Sequence, residues 1–164
     1  MNELLENMVT LRIATPEDLP FLVRLYGDTR RHEVAAWGWP EAQQQMFLSM
    51  QFDAQHRSYR AGFPVASDHI VCLDGSPVGR MLVNRDASGM RLIDIALIEE
   101  NRNRGLGTGL LCQLLQECEA KGHSLSLQVL RGNAAIRLYR RLGFVEAGAD
   151  EMYVRMERNP RERP

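Results

Sequence analysis

The sequence predicts an α/β (α+β) fold, with a central sheet of about six to seven strands flanked by about four helices. Short apolar runs with period-two alternation occur between longer segments whose apolar residues recur every three or four positions. The chain has 164 residues, of which 45% are hydrophobic and 25% charged, values typical of one globular domain. We therefore expect a single domain over 1–164, with a core at about 10–157 and a frayed tail at 159–164.

The first third of the chain predicts one strand and two helices. Residues 10–14 form the strand, and the segment from Thr15 to Asp18 starts a helix, with a threonine N-cap, a proline and two acids. An irregular link is expected over 32–40. The second helix runs from Glu41 to about Arg57, and a loop follows over 61–68. Its residues spaced for burial are Phe47, Met50 and Ala54.

A β-hairpin opens the next part of the chain. Alternating runs at 69–73 and 77–84 flank Asp74-Gly75, a strong hairpin signal, and a second turn at 86–89 leads into a strand over 90–98. In that strand Ile93, Ile95 and Leu97 alternate with Asp94, Ala96 and Ile98. The remaining predicted elements are a helix ending at Lys121, a strand over 125–129, a helix from its cap Asn133 to about Leu142, and strands over 144–146 and 152–156.

Charge and cysteine content exclude several classes of protein. A net charge of −1 gives no general attraction to nucleic acid or to an anionic membrane, so we expect neither as a partner. The three cysteines are odd in number, and neither they nor the histidines have metal-ligand spacing. We expect a reduced, cytoplasmic protein without a metal. Residues 1–9 lack a basic and an apolar region, so no signal peptide is expected.

A basic glycine turn stands between the strand over 90–98 and the long helix that follows it. Such a turn directs backbone N–H groups and the positive end of the helix dipole at one point, which suits a phosphate. Arg102 and Arg104 place guanidinium donors at its rim. A Walker loop would need lysine at position 110, and a dinucleotide fingerprint would need glycine there; the residue is Leu110.

The turn Arg102-x-x-Gly105-x-Gly107 resembles the acyl-CoA pyrophosphate turn of the GNAT N-acetyltransferase superfamily. A second motif follows at the separation seen in that family: a strand, Asn133, a short helix containing Leu138-Tyr139, and then Gly143-Phe144. With the order of strands and helices, these motifs identify the chain as a member of the family. The resemblance spans roughly 10–157 and is specific between Ile93 and Phe144. It implies the GNAT fold, which has a mixed central sheet.

The resemblance also implies the activity, namely transfer of an acetyl group from acetyl-CoA to a primary amine of a small molecule or peptide. The amine would attack directly in a ternary complex. Tyr139 matches the general acid of the family, and backbone N–H groups around Leu97 or Ile98 match its oxyanion donors. The cofactor-binding positions carried over from the family are Leu97, Ile98, Arg102, Arg104, Gly105, Leu106, Gly107, Thr108 and Asn133.

Two positions depart from the family pattern. Asn133 lies one residue closer to Tyr139 than is usual, and Gln128 stands where some protein N-terminal acetyltransferases of the family carry a glutamate base. An alkyl ammonium has a pKa near ~10.4, so the site must remove its proton, directly or through water. Asp94 is the best carboxylate candidate. The alternatives stay open: Asp94 as a polar group on the other strand face, and Tyr139 as a packing residue.

The acceptor is expected to contact the segments that vary most within the family, at about 32–64 and 148–152. The stretches at 33–39 and 50–64 resemble those of a bacterial subgroup, which does not identify the acceptor. A homodimer stays open as an assembly. A second functional class also stays open because Gln128 replaces the glutamate: an acyl-CoA-binding sensor or docking module without turnover.

Overall fold

A seven-stranded mixed sheet forms the centre of the protein, whose computed structural model describes residues 8–161. Its strand order is β1-β2-β3-β4-β5-β7-β6, and every neighbouring pair is antiparallel except β4 and β5. The predicted fold class is confirmed. The strands are β1 (Val9–Ile13), β2 (Ser67–Leu73), β3 (Ser76–Asp86), β4 (Gly89–Leu97), β5 (Leu125–Leu130), β6 (Val145–Ala149) and β7 (Tyr153–Arg158).

Four α-helices within the described part of the chain cover the sheet. They are α1 (Leu19–Ala35), α2 (Glu41–Gly62), α3 (Leu106–Lys121) and α4 (Ala135–Arg141). Short 3-10 helices at Pro16–Asp18 and Glu99–Asn101 precede α1 and the glycine turn. None of the helices between residues 8 and 161 has the length and apolarity needed to cross a bilayer.

The expectations for the chain ends fall largely outside the described residues, which exclude 1–7 and 162–164. The signal-peptide expectation for 1–9 and half of the expected tail at 159–164 lie there. The described part of that tail, 159–161, forms no helix or strand.

The two faces of the sheet carry different helices. On β2, Val71 joins the large core with α3 and α4, whereas Ile70 and Cys72 pack with Leu22 and Phe52 of α1 and α2. Because neighbouring strand residues point to opposite faces, the pair α1–α2 covers one face and α3–α4 the other. The α1–α2 face is the one that carries the candidate acceptor cavity described below.

The predicted β2–β3 hairpin is confirmed. Asp74 and Gly75 form a two-residue loop with φ values of 49° and 77°, the left-handed conformations that a type I′ turn requires. This turn chemistry is local, so the sequence alone specifies it.

Both N-terminal helices are longer than predicted. Residues 32–35 belong to α1, so the predicted irregular link over 32–40 is wrong in its first part, and α2 continues past Arg57 to Gly62. The buried face of α2 also differs from the prediction: Phe52 is 1% exposed, whereas Met50 is 63% exposed and Ala54 is exposed. The reason is tertiary, because Phe52 packs against α1 and β2.

A β-bulge interrupts the predicted regular alternation of β4. Leu82 of β3 pairs with Asp94, but Val83 pairs with Leu92, so Ile93 is an extra residue. Leu92 therefore lies in the core with Ile95, where regular alternation had predicted Ile93. Beyond the bulge, Asp94 and Ala96 point to the α1–α2 face.

Gly79 allows the close approach of β3 to β4, and its replacement gives a stability prediction. A Cβ at this position would lie 2.4 Å from the Ala96 carbonyl oxygen and 2.7 Å from Leu97 Cδ2. We expect Gly79→Ala to lower the free energy of unfolding by about 1–3 kcal/mol, measured by urea denaturation, because the backbone must shift. The control is Gly62→Ala, where a Cβ meets nothing within 4 Å. A loss of equal size in the control would contradict this explanation.

Candidate active site

The glycine turn presents free backbone donors. Gly105 precedes α3 in the left-handed conformation, with φ 84°, and no side chain caps the helix. The Gly109 N–H donates to the Gly105 carbonyl oxygen at 2.9 Å, which starts the helical hydrogen bonds. The N–H groups of Leu106, Gly107 and Thr108 therefore lack an intrahelical partner at the positive end of α3. This arrangement fits the phosphate site that the sequence predicts.

The two arginines of the turn differ in their partners. Arg102 Nε donates to the Leu97 carbonyl oxygen at 2.8 Å, and its Nη2 donates to Asp28 at 3.1 Å. Arg104 is exposed and makes no side-chain hydrogen bond or ion pair within residues 8–161. The structure thus gives Arg102 a bracing contact and leaves Arg104 available, while phosphate contact by either residue stays a prediction.

Asp28, a buried residue of α1, joins that helix to the segment before the glycine turn. Its carboxylate accepts hydrogen bonds from Arg102, from Arg31 and, at 2.7 Å, from the Glu99 backbone N–H. Asp28 therefore fixes the entry to the turn. The sequence analysis missed it, because nothing in its local sequence marks a partner so far along the chain.

A gap between β4 and β5 extends from the turn into the sheet. The two strands pair only over Met90–Leu92 and Leu125–Leu127. Ile98 N–H donates to the Val78 carbonyl oxygen at 2.9 Å, so the next pair, Leu97 and Gly79, has its backbone groups directed away from the opposite strand. Of the two predicted oxyanion donors, the Ile98 N–H is thus engaged by β3, and the Leu97 N–H faces the gap.

A buried polar cluster lies on the α1–α2 face. Arg80 of β3 is 3% exposed, and its Nε and Nη2 donate to the two carboxylate oxygens of Asp68, each at 2.8 Å. Its remaining nitrogen, Nη1, lies 3.8 Å from Asp94 Oδ2. The sequence analysis missed Arg80 and Asp68. The signal was an arginine within the apolar run at 78–83.

A cavity of about 70 Å³ adjoins this cluster. Asp94 keeps 28% of its side chain exposed there, although the residue lies deep in the protein. Burial raises the pKa of Asp94, and the charge of Arg80 opposes that rise. A carboxylate with a raised pKa is a stronger base near neutral pH. The residues that line the cavity are Leu22, Leu25, Tyr26, Thr29, Phe52, Gln55, Arg80, Asp94 and Ala96.

Tyr59 of α2 borders the same cluster. Its ring centroid is 6.0 Å from the guanidinium carbon of Arg80. Burial, followed by the charge of Asp94, raises the pKa of Tyr59 to about 12. The phenol is therefore neutral over the physiological pH range. On the same helix, Gln55 lines the cavity, whereas Gln51, one turn earlier, is exposed.

Tyr139 is both a core residue and a candidate acid. Its side chain is buried and packs edge-to-face on Phe144, with ring centroids 5.7 Å apart. Burial raises the pKa of the phenol, and the negative charge of Asp94 raises it further. Tyr139 therefore stays protonated, as a proton donor must, and lies within electrostatic reach of Asp94. Its catalytic role stays a prediction.

Asn133 has the capping role that the sequence predicts. Its Oδ1 accepts a hydrogen bond from the Ala135 N–H at 2.9 Å, at the start of α4. Its predicted contact with the cofactor is a separate expectation that this geometry leaves open. Gln128, where some family members carry a glutamate, is exposed on β5.

A glycine turn with free backbone donors, beside a gap between two strands, fits an acyl-CoA-dependent transferase, and comparison with known proteins agrees. The model of the acetyltransferase (GNAT) family matches residues 22–144. The chain belongs to this family and is an acetyl-CoA-dependent N-acetyltransferase. Among curated protein sequences, none matches the chain.

Solved structures share the fold. The PaiA N-acetyltransferase from Thermoplasma acidophilum, in complex with coenzyme A, is 18% identical, with a TM-score of 0.69 over 92% of this chain and 98% of that chain. The ribosomal-protein-S18-alanine N-acetyltransferase from Escherichia coli is 21% identical, with a TM-score of 0.61 over 96% of this chain and 97% of that chain. At these identities the similarity establishes the architecture.

Proposed function

We propose that the protein transfers the acetyl group of acetyl-CoA to a primary amine of a small molecule or peptide, by direct attack in a ternary complex. One observation carries the proposal: β4 connects a cavity for the amine to a turn for the cofactor. Asp94 faces the cavity, Leu97 directs its N–H into the gap, and the strand then leads to Gly105. Three residues of strand span about 10 Å, so the acceptor and the acetyl group can meet along β4.

The residues divide the chemical work among them. Acetyl-CoA supplies an activated acetyl thioester. The N–H groups of Leu106, Gly107 and Thr108 would hold its pyrophosphate, and the Leu97 N–H would hold the thioester carbonyl oxygen. Asp94 would take the ammonium proton, and the Tyr139 hydroxyl would give a proton to the departing thiolate.

Water can take part in the proton transfer to Asp94. About 10–15 Å³ suffices for one water, so a cavity of about 70 Å³ that is lined in part by Gln55, Arg80 and Asp94 has room for several. This room supports a water relay that carries the ammonium proton either to bulk solvent or to Asp94, and the Asp94→Asn variant described below distinguishes the two paths.

The name of one structural neighbour bears on the class of acceptor, and the state of the cysteines bears on the cellular compartment. The Escherichia coli neighbour is named for an alanine of a ribosomal protein, which is consistent with an amine acceptor here. All three cysteines are free, which is consistent with the reducing, cytoplasmic setting that we propose.

Acetyl-CoA titration followed by an amine panel tests the proposal. Acetyl-CoA should raise the melting temperature by mass action, whereas ATP and NAD should not. Free thiol should then appear with at least one primary amine. A binding module without turnover would show the thermal shift and release no thiol with any amine, which would contradict the proposal.

Replacing Asp94 by asparagine tests the base. We expect kcat to fall most near neutral pH and to recover partly at high pH, where more of the amine is neutral. Steady-state kinetics between about pH 6 and pH 10, over which the neutral fraction of an alkyl amine rises by roughly 10³–10⁴-fold, measure this. An equal loss at every pH would contradict the role of a base, and an unchanged kcat would assign proton removal to water alone.

The melting temperature of Asp94→Asn checks that any loss of activity is not caused by unfolding. The raised pKa of Asp94 means that folding favours the protonated form of this carboxyl. The contribution of Asp94 to stability is therefore largest at low pH and is lost as pH rises. The neutral amide should therefore not lower the melting temperature at pH 7. Asp74→Asn, in the β2–β3 turn, is the matched control and should keep the kinetics of the wild type.

A further inference from the structure

We propose that Arg80 makes the enzyme selective for amines with a carbonyl or carboxyl oxygen on the adjacent carbon, that is, for the α-amino group of an amino acid derivative or peptide. This inference rests on the proposed function, because it assigns the cavity to the acceptor. It names both the chemical class of the acceptor and the side chain that recognises it.

The first observation is the unused end of a buried guanidinium. Asp68 takes up Nε and Nη2 of Arg80 in a bidentate pair. Nη1 makes no hydrogen bond within residues 8–161, and the nearest carboxylate oxygen, on Asp94, is 3.8 Å away. Nη1 is not among the fully buried unpaired side-chain atoms of the described residues, and Arg80 lines the cavity, so this nitrogen is accessible from the cavity. An oxygen of a bound acceptor would complete its hydrogen bonds.

The second observation is the distance between the two charged groups. Standard bond lengths place the nitrogen and the carbonyl oxygen of an α-amino carbonyl group about 3 Å apart. Asp94 Oδ2 and Arg80 Nη1 are 3.8 Å apart, on the wall of the same cavity. The carboxylate can thus receive the ammonium while the guanidinium receives the neighbouring oxygen. A simple alkyl amine could satisfy only the first of these groups.

The rest of the cavity fits the same acceptor. Leu22, Leu25 and Phe52 give it apolar walls that can contact a side chain on the α-carbon. The formal charges of Arg80, Asp68 and Asp94 sum to −1, which favours a cationic acceptor. The cavity thus combines apolar walls with one anionic and one cationic group, as an α-amino carbonyl compound requires.

The acid–base chemistry of the amine agrees with this class. The α-amino group of a peptide has a pKa of about 7.7–8.0, so about a tenth of it is neutral at pH 7, against less than about a thousandth for an alkyl amine. An acceptor that loses its proton readily places a smaller demand on Asp94, or on water, as the base.

Two acceptors of similar shape test the inference on the unmodified enzyme. Alaninamide carries the α-carbonyl oxygen, whereas sec-butylamine has an ethyl group in place of the whole carboxamide group. We expect kcat/KM per neutral amine, from free-thiol release, to be at least about tenfold higher for alaninamide, the effect of one hydrogen bond to a charged donor. Trialanine and free alanine, assayed alongside, distinguish a peptide N-terminus from a free amino acid.

Substitution of Arg80 then tests whether this residue causes the preference for alaninamide. Arg80→Met should reduce kcat/KM for alaninamide to about that for sec-butylamine, chiefly through KM. The acetyl-CoA thermal shift verifies that the variant is folded. Arg85→Met is the matched control. Arg85 lies on β3, as Arg80 does, and makes a bidentate pair with Glu117 of α3, but it does not line the cavity. It should retain the preference.

Calorimetric binding of both amines to the CoA complex separates this inference from the proposed function. Equal efficiency and equal affinity of the two amines in the unmodified enzyme would overturn the inference and leave acetyl transfer intact. A preference that persists in folded Arg80→Met would also overturn the role of Arg80. Tighter binding of alaninamide without any thiol release would support the inference and overturn the proposed function. If the enzyme binds the two amines equally and releases no thiol with either, both the inference and the proposed function are overturned.

Discussion

Replacing Gly107 by valine is expected to abolish acetyl-CoA binding. Gly107 occupies the first turn of α3, where three N–H groups lack intrahelical partners. A branched side chain there would occupy the place of the pyrophosphate and block the approach of those donors. We expect no rise in melting temperature at acetyl-CoA concentrations that stabilise the wild type, and no measurable heat of binding.

The structure makes this substitution informative, because the fold itself has room for it. A Cβ on Gly107 meets only Leu97 Cδ1, at an ordinary contact distance of 3.9 Å. The ligand-free variant should therefore unfold at nearly the same temperature as the wild type. Gly62→Val, at the end of α2, controls for adding the same side chain to a helix. Acetyl-CoA binding by Gly107→Val with wild-type affinity would refute the assignment of the cofactor turn.

The sequence alone predicted those parts of the protein whose geometry depends on local chemistry. Asp74-Gly75 forms a hairpin because both residues tolerate positive φ, and Gly105 allows the left-handed step before α3. Asn133 caps α4 through its own side chain. In each case the residues that adopt the structure are neighbours in the chain, so their types suffice for the prediction.

Helix limits and strand faces on the α1–α2 side were predicted less well, because distant contacts determine them. Phe52 is buried by α1 and β2, and no periodicity within α2 shows which of its faces those elements will cover. The bulge at Ile93 depends likewise on the register of β3 against β4. It decides that Asp94 faces the α1–α2 side, which the sequence could give only as an alternative.

In the candidate site, too, the features within contiguous motifs were predicted from the sequence, and the contacts between distant residues were not. The glycine turn and Tyr139 lie in contiguous motifs, and the resemblance to the family covers both. Asp28 reaches Arg102 across 74 positions of the chain, and Asp68 pairs with Arg80 across a hairpin. Such ion pairs join residues of common types, so only the folded structure shows which acid meets which arginine.

Replacing Tyr139 by phenylalanine is expected to lower kcat by at least about tenfold, and by about 10²–10⁴-fold, the range typical of general acids, if proton donation limits turnover. The substitution keeps the ring that packs on Phe144 and removes only the hydroxyl. Acetyl-CoA affinity should stay within a few-fold, because the glycine turn is untouched, and the melting temperature should barely change. Steady-state kinetics with any accepted amine measure the effect.

The pKa of Tyr139 strengthens this expectation. Burial and the charge of Asp94 raise that pKa above its usual value of about 10, so the phenol keeps its proton from neutral pH to about pH 9. The loss in Tyr139→Phe should therefore be similar from neutral pH to about pH 9, unlike the pH-dependent loss expected for Asp94→Asn. Tyr153→Phe removes the same hydroxyl from an exposed position on β7 and should leave kcat unchanged. An unaltered kcat in Tyr139→Phe would show that Tyr139 serves the core alone and that the thiolate departs without a protein acid.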